Sequence, residues 1–74
     1  MVKTWLKYHV TAWEWNGGTN EYDPVILAIY EESEFAREAF ENAVLSADMP
    51  QIDLYAVQYS KAGEVSRTLI ERKD

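Results

Sequence analysis

This 74-residue sequence predicts a two-layer α+β fold: one four-stranded antiparallel sheet and one amphipathic helix, in the order ββαββ. Three observations carry that expectation. Residues 3–15 alternate apolar and polar, residues 33–47 repeat apolar residues at helical spacing, and alternation returns beyond Pro50 with one break at Ser60-Lys61-Ala62-Gly63. Two hairpins around one helix pack naturally as a sheet covered on one face. A ferredoxin-like fold would need a second helix, and no stretch supplies one. The chain is expected to form one domain, 1–74, since halving it would leave neither part enough residues to bury a core.

In the first strand the even positions Leu6, Tyr8, Val10 and Ala12 make the better core face. The odd positions Lys3, Trp5, Lys7, His9, Thr11, Trp13 and Trp15 include two lysines and the histidine. Asn16-Gly17-Gly18 suits a turn needing positive φ. A tight turn there would start the second strand near Thr19 and place Pro24 inside it, where proline cannot donate to a ladder. The favoured expectation is instead a loop from Asn16 to Asp23 and a strand from Val25 to Tyr30. That strand is apolar at every position, as when both faces are covered.

Ser33 is the expected helix N-cap, with Glu34 in the first turn where the helix dipole favours an acid. Phe35, Ala36, Ala39, Phe40, Ala43, Val44 and Ala47 fall on one stripe, the alanines allowing close approach and Phe35 and Phe40 supplying bulk. Asp48-Met49-Pro50 ends the helix, because proline biases its predecessor away from helical geometry. The third strand spans Gln51 to Tyr59, with Ile52, Leu54 and Ala56 on one face and Asp53, Tyr55, Val57 and Tyr59 on the other. Gly63 takes the positive-φ position of a short hairpin loop. The last strand, Glu64 to Ile70, has the mixed character of an edge, and Glu71 to Asp74 is a charged, frayed tail.

One helix covers one face of such a sheet, yet Trp5, Trp13, Trp15, Tyr55, Val57 and Tyr59, together with half of the Val25 to Tyr30 run, offer apolar and aromatic surface for the other. Soluble monomers rarely expose that much in one patch, so something is expected to cover it. The plainest candidate is a second copy, in a homodimer through the open sheet face. A different protein would exploit the usual weight of Trp and Tyr at binding hot spots. A stacked nucleotide or sugar is the third.

Charge excludes more than it identifies. Thirteen acids against seven bases leave a net charge of −6, unfavourable for a phosphate backbone whose affinity comes from Lys and Arg. Direct nucleic-acid binding is therefore not expected. Residues 14–53 hold ten of the acids and only Arg37 against them. Within that block Glu34, Glu38 and Glu41 stand at i, i+4 and i+7, one helix edge about 10 Å long. Glu31 and Glu32 lie just before it. Such an edge fits a basic partner surface; it equally serves as a solvated face that keeps the protein soluble.

Catalysis is not expected. Without cysteine there is no disulfide, thiolate metal site or Cys nucleophile. His9, the single histidine, cannot form a His-rich metal site, and as a general base it would need a pocket and an orienting partner. The serines lack nucleophile-elbow glycines, and Asn16-Gly17-Gly18 is no phosphate loop because no helix follows. No metal or cofactor is expected. Charges interrupt any signal-peptide core between Met1 and His9, and the longest apolar run, Val25 to Tyr30, falls far short of the about 20 residues of a membrane helix. The expected compartment is the cytoplasm, with no membrane partner.

In size, acidity and single-helix architecture the chain resembles phage-encoded inhibitors of host defence enzymes and DNA mimics, a likeness of composition that assigns no role to any residue. The expected function is a small acidic non-catalytic module, an inhibitor or adaptor. It would engage another protein's basic patch through Glu34, Glu38, Glu41, Glu31 and Glu32, with Trp5, Trp13, Trp15, Tyr55 and Tyr59 as partner anchor or dimer seam. The alternative is a module whose aromatic sheet face stacks a nucleotide or sugar.

Overall fold

Four strands and a helix follow one another as β1 (Thr4–Asn16), β2 (Glu21–Tyr30), α1 (Ser33–Ser46), β3 (Gln51–Ser60) and β4 (Gly63–Lys73), in a computed structural model that describes residues 3–46 and 49–74. The predicted ββαββ order is what forms. All pairings are antiparallel, and the sheet order β2-β1-β3-β4 sets the first strands of the two hairpins side by side at the centre. The helix makes this possible by carrying the chain from the end of β2 back over the sheet.

The core lies between α1 and the even face of β1, as the alternation predicts. Val10, Ala12, Ile52, Leu54, Ala36 and Phe40 are buried together, and Tyr8, Tyr30, Ala39, Ala43, Val44 and Met49 pack around them. Alanines at 36, 39 and 43 let the helix approach the sheet, and Phe40 fills the space beside them. Phe35, expected to share that role, is exposed instead and borders a groove with Tyr30, Glu38, Ala39 and Asn42. At helical spacing it sits on the flank of the stripe, beyond the sheet residues that could cover it.

Two local expectations at the turns are corrected. The strand β2 begins at Glu21, not Val25, and Pro24 lies within it opposite Trp13. An edge strand tolerates this, because one side of its backbone has no ladder to feed. The connection is the short loop 17–20, closed by Thr19 N donating to Asn16 O at 3.3 Å and Gly18 N to Asn16 Oδ1 at 3.0 Å. Positive φ falls on Asn20 (57°), and not on Gly17 or Gly18. Gly63 does take the left-handed region, at φ 119°.

The helix cap shifts by one residue. The Ala36 amide donates to the Glu32 carbonyl at 3.2 Å, so Glu32 occupies the cap position and Ser33 the first turn. The helix runs to Ser46; Ala47 of the expected stripe and Asp48 of the expected stop lie outside the described residues. The C-terminal segment is the larger correction. Rather than fraying after Ile70, β4 continues to Lys73 with Arg72 opposite Asp53.

Three β-bulges shape the sheet. The pairing shifts between Val10 and Thr11 on β1·β2, and between Leu54/Tyr55 and Gln58/Tyr59 on β3·β4. Each leaves one edge-strand residue without a partner in the register: Leu27, Ile70 and Val65 respectively. An inserted residue resets which face the following side chains take. The molecule is a plate of 44 × 29 × 15 Å, with a radius of gyration of 13.4 Å against about 11 Å for a compact chain of this length.

Candidate functional site

The helix-free face of the sheet collects the odd residues of β1 and β3 with their partners from the edges. At its centre is a buried carboxylate. Asp53 has no solvent exposure, which an acid tolerates only with its oxygens fully satisfied. Arg72 Nε donates to Oδ1 at 2.8 Å and its Nη2 to Oδ2 at 3.1 Å. Trp13 Nε1 and Tyr55 Oη each donate to Oδ2 at 2.9 Å, and Gln51 Nε2 reaches the same oxygen at 3.2 Å. Burial pushes the carboxyl's pKa up, but the donors from Arg72, Trp13 and Tyr55 outweigh it and hold it below the ordinary range. Tyr55 is shifted upward by burial and then by Asp53 itself. The arrangement holds four side chains in place around an anion that is already saturated.

Further along the face Tyr59 joins two neighbours. Its Oη lies 2.7 Å from His9 Nε2, and its ring stacks on His9 (centroids 5.9 Å apart) and on Trp5 (6.5 Å). His9 and Thr11 are each only 2% exposed, and His9 Nδ1 and Thr11 Oγ1 have no hydrogen-bond partner among the described residues. Burial lowers the His9 pKa, with help from Arg67 and Lys7 and against the pull of Glu64, and this lowering favours the neutral ring. Arg67 lies 5.0 Å above the Tyr55 ring and grips Glu64 through two bonds of 2.9 and 2.7 Å. At the far end Trp15 and Tyr22 meet edge to face at 5.1 Å.

Trp5, Trp13, Trp15, Tyr55 and Tyr59 thus share one face, but they are not equivalent. Trp13, Tyr55 and Tyr59 are half-buried and tied down by hydrogen bonds, whereas Trp5 and Trp15 stand exposed near opposite ends of β1. Tyr22, Ile26 and Ile29 of β2 extend the apolar surface on the side of Trp15 and Thr11. Half of the continuous apolar run of β2 thus joins the uncovered side, as the sequence suggests, and nothing among the described residues covers it there. A recess of about 410 Å³ between Trp13, Tyr22, Pro50, Gln51 and Arg72 indents one corner.

The acidic set lies on the other side. Glu34, Glu38 and Glu41 are exposed on the crest of α1, opposite the buried Ala36 and Phe40, and Glu31 and Glu32 are exposed just before the helix. Arg37 is paired with Glu71 of β4 at 3.0 Å, tying the helix to the edge strand. Acidic crest and aromatic face are thus separated by the thickness of the plate and form no common surface. Asp53, counted within the acidic block by sequence, belongs to neither group of free acids.

Sequence reasoning missed Asp53 and Arg72 as a unit. The available signal was a carboxylate sharing one strand face with Tyr55, Val57 and Tyr59; treating residues 71–74 as a tail removed its partner. Among the described residues no group of three or more His, Asp or Glu could hold a metal ion, and no helix is long and apolar enough to cross a membrane. Comparison with protein-family models, curated proteins and solved structures finds no match for this chain.

Proposed function

We propose that this chain is a small non-catalytic binding module that presents its acidic helix layer to a basic surface of another protein, as an inhibitor or adaptor does. The observation that carries the reading is the segregation of charge between the two sides of the plate. On the helix side Glu34, Glu38 and Glu41 crown α1 with Glu31 and Glu32 at its approach, all exposed. On the sheet side the strand carboxylates are consumed internally, Asp53 by Arg72 and Glu64 by Arg67. A field of one sign on one face steers a basic partner and sets orientation and on-rate more than affinity.

The test is a pull-down from lysate read by mass spectrometry, with wild type beside the triple variant Glu34→Lys, Glu38→Lys, Glu41→Lys. Basic proteins held by the wild type and lost by the variant support the reading. Capture of the same proteins by both baits overturns it.

The recess at Trp13 and Tyr22 favours a second reading. Two aromatic walls with Gln51 and Arg72 alongside suit stacking of a nucleotide base or sugar ring with polar contacts at its rim. Tryptophan emission in a Trp5→Phe, Trp15→Phe variant, which leaves Trp13 as the emitter, reports on it: titration with nucleotides and sugars quenches the emission if a ring stacks there, and unchanged emission removes the reading.

A further inference from the structure

The helix-free sheet face pairs with the same face of a second copy: we propose that this protein is an isologous homodimer, with the two aromatic faces together and the two acidic helix crests outermost. Three features of the molecule select a second copy as the occupant.

The first is the kind of surface left open. Trp5, Trp15, Tyr22, Ile26, Ile29 and Leu69 are exposed on this one side; Trp15 is 56% and Ile26 53% accessible. Their neighbours His9, Thr11, Asp53 and Val57 are buried within the face by the surrounding rings and guanidinium groups. The centre is thus closed and rigid, and the exposed apolar groups stand around it. A face of this kind loses water on contact without having to reorganise.

The second is area. The plate measures 44 × 29 Å in its broad dimensions, a bounding face on the order of 1,300 Å². A standard stable interface needs about 800 Å² from each partner. Sheet faces stacked at about 10 Å interdigitate their side chains as in a sandwich, so two copies would enclose a core this single two-layer chain lacks on that side.

The third is charge. At −6, two copies repel one another through any acidic surface. The sheet face is the exception. Its strand acids are neutralised by Arg72 and Arg67, which leaves Lys7 as the remaining charge among the strand residues that point there. Face-to-face pairing also holds the crests of Glu34, Glu38 and Glu41 as far apart as the assembly allows. A basic heterologous partner finds its complement on the helix side and not here.

The experiment is light scattering on the eluting full chain, combined with dilution from millimolar to micromolar followed by tryptophan emission. Wild type elutes at about twice 8.6 kDa, and dilution shifts the emission of Trp5 and Trp15 to the red with no change in far-ultraviolet circular dichroism. The double variant Ile26→Lys, Ile29→Lys elutes at 8.6 kDa with the wild-type dichroism spectrum, whereas Leu45→Lys, on the helix side, stays dimeric. Should the Ile variant unfold, Trp15→Lys at the end of the face replaces it and elutes as a monomer. Wild type at 8.6 kDa with concentration-independent emission overturns the proposal, leaving the face to another protein or a stacked ligand; so does a folded Ile variant that remains dimeric. None of these readouts depends on the acidic crest, so failure here leaves the binding of a basic partner standing.

Discussion

Asp53 shows how much one side chain organises on this small chain. Its carboxylate receives donors from Trp13, Gln51, Tyr55 and Arg72, residues drawn from three strands. Asp53→Ala strands all of them and should destabilise the fold by roughly 3 kcal/mol in denaturant titration; Asp53→Asn, which keeps an acceptor but loses the charge, should cost about half as much. The folded carboxyl titrates below its unfolded value, so its stabilisation is complete above the ordinary carboxylate range near about 4 and disappears as pH falls through the folded value. His9 acts in a higher window. Burial depresses its folded pKa, so below about 6.5 the unfolded chain takes up a proton that the folded chain refuses, and stability falls on acidification. Between about pH 6.5 and 5.5 the wild type should lose stability with a slope of at most about 1.4 kcal/mol per pH unit, and His9→Phe should abolish that slope. A slope unchanged in the variant would assign the effect elsewhere.

At the scale of elements, α1 and β4 make opposite tests of sequence intuition. The helix has two phenylalanines, and only Phe40 is buried. Phe40→Ala should cost about 3–5 kcal/mol, a large part of the stability of a chain this size, while Phe35→Ser should stay within about 0.5 kcal/mol. Thermal melts of the two variants separate the faces of one helix. In β4, deletion of residues 71–74 should lower the melting midpoint by several degrees, because it removes the Arg72 clamp from Asp53 and the Glu71 link to Arg37. A frayed tail would be lost without effect. The bulges explain why β4 and β2 were hard to read. Glu64 and Arg67 are three apart, as are Leu69 and Arg72, and Ile26 and Ile29; in an unbroken strand each such pair would point to opposite faces. The extra residues Val65, Ile70 and Leu27 bring each pair onto one face.

Across the whole molecule, length decides what stays open. A 14-residue helix is about 21 Å long, and a 13-residue strand like β1 about 43 Å, so α1 covers roughly half the length of one sheet face and none of the other. Leu6, on the core side by parity, is left exposed beyond the helix for that reason. The charges follow the same division: Asp53 and Glu64 on the open sheet face are paired, and Glu34, Glu38 and Glu41 stand exposed over the helix layer. If the crest steers a basic partner, the association rate should drop severalfold between low salt and physiological ionic strength, as measured by stopped flow, with little change in dissociation. A salt-insensitive rate would remove the steering role and leave the aromatic face unaffected.

Local rules within the chain were enough to determine the element order, the even core face of β1, the buried helix stripe around Phe40, the edge character of β4 and the Gly63 turn. Each depends on the period of a strand or helix, or on the backbone freedom of one glycine, and those operate over a few residues. The same patterning identified a second apolar face, which no element among the described residues covers. Tertiary structure alone decided the rest: which strands became central, where Pro24 is tolerated, and the union of Asp53 with an arginine 19 positions away. It also set the acidic and aromatic groups on opposite sides of the plate. Those outcomes depend on strand order and on bulges, which arise only when edges pair, and no periodicity along a single strand records them.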